Sequence, residues 1–128
     1  MATIVTSAPG QPGPNMASLS TAQTGNGQST NVVDRGGSVG PALVTIVTTV
    51  GATPTCTYAI EVSVDGTDWF AGAYADAATP TTVAVATFAI TTATTTRKVL
   101  QANQPWRYAR ITYSSNTNVT NTASIATF

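Results

Sequence analysis

Histidine is absent from this chain, cysteine occurs once, and acidic and basic residues number five each in 128 positions. Those scarcities remove most routes to acid-base, thiol-based or metal-assisted catalysis, because such sites are assembled from imidazoles, thiolates and clustered carboxylates. Serine and threonine are plentiful, but neither a histidine nor a suitably placed lysine is present to activate one. A structural or binding protein is therefore expected, not an enzyme, with no catalytic residue, no cofactor and no resident metal. Charged residues make up only 8% of the chain and cancel to a formal charge of zero, where about a quarter is usual for a soluble domain. Arg35, Arg97, Lys98, Arg107 and Arg110 are too few and too scattered to neutralise a run of phosphates, so no nucleic-acid footprint is expected.

Long apolar runs are missing as well. The most apolar stretch, Pro41 to Val50, is broken by Thr45, Thr48 and Thr49, whereas a helix across a bilayer needs about 20 apolar residues. No membrane partner is expected. The opening residues, Met1 to Gly10, have neither the basic nor the apolar region of a secretory signal, so no signal peptide is expected and the chain is expected to be made in the cytoplasm of the producing cell. Cys56 has no partner for a disulfide and reads as a small buried hydrophobe.

What is present is threonine, at roughly one position in five, interleaved with valine, isoleucine and alanine. Alternation of this kind predicts strands with one hydroxylated face and one apolar face. From Pro41 onward, Ala42–Val50 and Thr55–Val64 form such runs, the second with Cys56, Tyr58, Ile60, Val62 and Val64 on its core side. Gly51 to Pro54 separates them. Asp65-Gly66 predicts a tight hairpin turn, and hairpin registers that differ by two residues both put Trp69 on the core side and Phe70 on the other. Thr81–Ile90 is apolar on both sides and predicts a central strand. A short strand is expected at Arg97–Gln101, another at Trp106–Ser114 and a last one after Ser115–Asn118. No stretch sustains a helical period.

The fold class predicted is all-β, an antiparallel β-sandwich or jelly-roll-like domain over residues 41–128. Residues 1–40, rich in Gly, Pro, Ser, Gln and Asn without strand or helix period, are expected to form an extended N-terminal arm.

Asp65, Asp68 and Asp76 are the densest acidic group and could be imagined around a calcium ion. An aspartate-anchored turn explains the same residues with nothing added. Glu61 and Asp68 are the one carboxylate pair a hairpin could bring together, without a pocket to raise either pKa. Aromatics are the better lead. Phe70, Tyr74, Trp106, Tyr108 and Phe128, with Arg107 and Arg110, exceed what a small core requires and form the candidate interface. Each of Trp106 and Tyr108 could equally close the end of the core.

The segments Glu61-Val62-Ser63-Val64-Asp65-Gly66-Thr67-Asp68-Trp69 and Gln104-Pro105-Trp106-Arg107-Tyr108-Ala109-Arg110-Ile111-Thr112 resemble small β-sandwich structural proteins of tailed-bacteriophage virions. The same hairpin style recurs in discoidin-like binding modules. The resemblance spans about Thr55 to Thr120 and implies a virion component, a capsid decoration or cement protein. Its implied partners are the major capsid protein and further copies of itself, and its implied location is the capsid surface. A carbohydrate-binding module, with a glycan on an outer aromatic face, and a tail or neck component are the alternatives.

Overall fold

The computed structural model describes residues 3–6 and 15–128. Ten strands run through them: β1 Thr3–Thr6, β2 Asn15–Gln23, β3 Gly27–Gln28, β4 Asn31–Asp34, β5 Ala42–Ser63, β6 Phe70–Ala71, β7 Tyr74–Asp76, β8 Phe88–Ile90, β9 Thr95–Leu100 and β10 Tyr108–Thr127. The protein is all-β. They join in one sheet of order β1-β4-β10-β5-β9-β7, with β2 and β3 on β10 and β6 and β8 on β5. Pairing is antiparallel except between β1 and β4.

The two longest strands, β5 and β10, are the spine. Their alternation puts Val44, Ile46, Tyr58, Ile60 and Val62 of β5, and Ala109, Ile111, Tyr113, Ala123 and Ile125 of β10, in one buried cluster, as a period of two requires. Each large side chain so buried contributes about 1.5–3 kcal/mol through apolar area removed from water.

The spine cannot be straight. Asn121 lies opposite Thr48 in the β5–β10 register, ten residues from Tyr58, or about 33 Å along an extended strand. Yet the Tyr58 hydroxyl donates to Asn121 Oδ1 at 2.6 Å. The ladder therefore doubles over, and its two halves face each other as the layers of a sandwich. The fold in the ladder lies where pairing shifts register, between Ser114 and Val119, and where Thr53, Ser115 and Asn118 take left-handed φ values of 46°, 50° and 56°. Such β-bulges bend a strand without ending it. Asn118 Nδ2 secures the bend by donating to the Ala52 carbonyl at 2.7 Å. The breaks expected at Gly51–Pro54 and Ser115–Asn118 are thus bends within continuous strands.

The interior carries a neutral polar seam. Ser20 Oγ and the Tyr113 hydroxyl lie 2.8 Å apart, joined by a hydrogen bond, and Asn121 Nδ2 points at the Cys56 sulfur 3.9 Å away. Burial raises the Tyr58 hydroxyl pKa well above its ordinary value and pushes Tyr113 up to about 12. Both phenols stay neutral donors. Among the described residues no buried side-chain polar atom lacks a partner, as a stable polar interior demands.

Two expectations are corrected. The stretch assigned to an arm is, from Asn15 to Asp34, part of the sheet: β2 pairs with residues 121–127 of β10 and β4 with Tyr108 and Ala109. Leu19 and Val33 are buried in the core. Met1, Ala2 and Ser7–Pro14 of the expected arm lie outside the described residues. Conversely, most of Thr81–Ile90 is not a central strand. Only Phe88–Ile90 is a strand, and Val83 and Val85 are 51% and 62% exposed. Ala84 and Ala86 beside them offer little area to bury, and the β5 edge at residues 42–47 is occupied by β9.

Candidate functional site

The turn after β5 is built around one carboxylate. Asp65 Oδ1 accepts from the amides of Thr67 and Asp68, both at 2.9 Å, and from Ser63 Oγ at 3.0 Å. Ser63 Oγ in turn accepts from the Gly66 amide, where φ is 80°. The hydrogen bonds from these donors hold the Asp65 carboxyl below its ordinary pKa. This is the aspartate-anchored turn. Asp76 instead pairs with Lys98, and among the described residues no three histidine, cysteine or acidic side chains converge as metal ligands.

The loop closes with an odd number of residues. Val62 pairs with Phe70 and Glu61 with Ala71, one position away from the registers expected. A one-residue slip exchanges faces, so Trp69 leaves the core side and stands half-buried on the outer surface, with its ring centroid 4.1 Å from the Arg110 guanidinium carbon. Glu61, the cross-strand neighbour of Arg110, accepts from Arg110 Nε at 2.9 Å and from the Thr112 hydroxyl. That carboxylate fixes the guanidinium beside the indole.

Beside this stack runs a second pair. Arg107 reaches Asp34 at the end of β4 through Nε, 3.2 Å from each carboxylate oxygen, and through Nη2, 3.0 Å from Oδ2. Burial alone would raise the Asp34 carboxyl, but hydrogen bonds from Arg107 and the Gly36 amide, together with the guanidinium charge, outweigh it and hold the pKa low. The Arg107 guanidinium also lies 5.2 Å from the Tyr108 ring centroid. Beside the Trp69–Arg110 stack opens a cleft of about 390 Å³ lined by Ile4, Gln28, Val32, Gly66, Trp69, Tyr108 and Arg110. Strands β1, β3, β4 and β10 and the hairpin each contribute, so the cleft exists only once residues 15–34 have joined the sheet.

Of the interface residues expected from the sequence, the structure gathers Arg107, Tyr108 and Arg110 at this face. Phe70 is 40% exposed on the same hairpin, while Phe128 is 49% exposed at the end of β10, away from the cleft. Tyr74 and Trp106 are core residues, 6% and 5% exposed. The Tyr74 hydroxyl donates to the Ala86 carbonyl at 2.8 Å, and the Arg35 guanidinium closes over the Trp106 ring at 4.1 Å. Sequence reasoning missed Trp69, Gln28, Val32 and Ile4. The Glu61–Arg110 charge pair was the available signal, because an ion pair opposite across the ladder marks an outer face that a neighbouring tryptophan can cover.

A second cleft, about 470 Å³, lies over the bend between Thr24, Gly25, Thr49–Gly51, Asn116 and Asn118–Thr120 without any charged residue. Among the described residues, no helix is long and apolar enough to cross a membrane.

No family model matches the chain, and no curated protein sequence matches it. Its fold is similar to that in the crystal structure of the SPBc2 prophage-derived protein YomS, with a TM-score of 0.64 over 91% of this chain and 94% of that one. Sequence identity is 10%, so the likeness is one of fold.

Proposed function

We propose that this chain is a structural component of a bacteriophage particle, decorating or cementing the capsid in many copies. The observation that carries this reading is the likeness in fold, along nearly the full length of both chains, to a prophage-derived protein. The chemistry of the surface supports it. With 8% charged residues and no net charge, the outer faces lack the charge repulsion that keeps separate copies apart. Val47 and Val50 on β5, with Met16 on β2 and Phe128 just past the end of β10, are exposed apolar side chains suited to contact with the major capsid protein or another copy.

Attachment through Met1–Gly40 as a detachable arm no longer fits, because Leu19 and Val33 belong to the core. The contact is assigned instead to the neutral outer faces and strand rims. Quantitative mass spectrometry on gradient-purified particles tests the proposal by comparing copies of this chain with copies of the major shell protein. Hundreds per particle are expected; a handful would move the chain to the tail or neck, and absence would remove it from the particle altogether.

A further inference from the structure

We infer that the Trp69–Tyr108 cleft is a binding site for an uncharged pyranose sugar. Its size is the first reason: about 390 Å³ falls within the range of roughly 300–1,000 Å³ typical of small-ligand sites. Its lining is the second. Trp69 and Tyr108 offer ring surface to the apolar face of a sugar, Val32 and Ile4 supply aliphatic contact, and Gln28 stands exposed at the rim.

Hydrogen-bonding capacity is the third. The Trp69 indole N–H, the Tyr108 hydroxyl and the Gln28 side-chain amide have no hydrogen-bond partner among the described residues. Arg110 engages Glu61 through Nε, leaving its terminal amino groups for a ligand. Several polar groups converging on an aromatic cleft match the hydroxyls ringing a sugar's apolar face.

Charge decides the class of sugar. Arg110 is compensated by Glu61 and Arg107 by Asp34. Arg110 is the one charged residue that lines the cleft, and a phosphate or carboxylate entering it would meet the Glu61 carboxylate beside that guanidinium, so nucleotides and acidic sugars are disfavoured. The ligand is a neutral hexose or N-acetylhexosamine. On a particle surface such a site would recognise glycans of a cell envelope. The site itself does not depend on the particle role, which is read separately from copy number.

Saturation-transfer NMR on the full chain tests this, using methyl glycosides of glucose, galactose and N-acetylglucosamine, with adenosine as an aromatic control. At least one glycoside should receive saturation, and Trp69→Ala should weaken its binding about tenfold or more, the effect of losing a central aromatic anchor. Gln28→Ala, at an exposed position, should weaken binding severalfold with an unchanged melting temperature. No transfer to any of the three glycosides would overturn the inference. So would transfer undiminished in both variants, or transfer to adenosine alone.

Discussion

Residues 15–34 and residues 77–87 invert what their compositions suggest. The first stretch is rich in Ser, Asn, Gln and Gly, yet it supplies three strands to β10 and buried side chains that include Leu19, Val32 and Val33. The second holds Val83 and Val85 in an alternating run, yet it lies on the surface and meets the sheet at the Tyr74–Ala84 bridge. What separates them is partnership. In the first stretch the polar side chains satisfy specific groups: Ser29 Oγ accepts from the Ile111 amide at 3.1 Å, and Gln23 Oε1 accepts from Ser20 and Thr30. A polar segment with defined partners can order as firmly as an apolar one.

The largest test of that contrast is Leu19→Ala. Removing a fully buried leucine side chain is expected to lower unfolding free energy by about 2–5 kcal/mol, read by urea or thermal unfolding. A loss indistinguishable from zero would return residues 15–34 to the status of a detachable arm.

A smaller effect is expected from acid. The Asp34 and Asp65 carboxyls have folded pKa values below the ordinary 3.8. Their contribution to stability is therefore present at pH above that value and lost as pH falls through the lower folded value. With no histidine in the chain, the melting temperature should be nearly flat from about pH 5 to 8 and drop below about pH 4. Asp34→Asn should lower it at neutral pH and make the acid limb shallower. A midpoint that moves between pH 5 and 8 would show that another group controls stability.

The smallest effect belongs to the other stretch. Val83→Thr and Val85→Thr should each change stability by no more than about 0.5 kcal/mol, since both side chains are more than half exposed. A cost comparable to that of Leu19→Ala would mean that these valines pack against something, and a second copy of the chain would be the first suspect.

Much of the fold was legible locally. The alternation in Ala42–Val50 and Thr55–Val64 marked β5 and the core parity of Tyr58, Ile60 and Val62, and Asp65-Gly66 marked the turn with its anchoring carboxylate. The candidate site was half legible: Arg107, Tyr108 and Arg110 were singled out, while Trp69 was assigned to the core because the hairpin was taken to close in a register of the other parity. Turn chemistry identifies a loop, but its closing register depends on how the loop's amides are satisfied, here by Asp65 and Ser63. Tyr74 and Trp106 were chosen for being aromatic, and burial is a property of neighbours remote in sequence.

By itself, then, the sequence determined an all-β chain with almost no groups for chemistry, a neutral surface and a two-residue rhythm dividing core from solvent. These follow from composition and from the fixed alternation of side chains along an extended backbone. Tertiary structure alone decided that the β5–β10 ladder would double over at its bulges, that β2 and β4 would complete the sheet, and that Trp69 would face outward over Arg110. Those outcomes rest on pairings between residues 100 or more positions apart, such as the Ala22 amide with Thr122 Oγ1 and Asn15 opposite Thr127, and no local period encodes them.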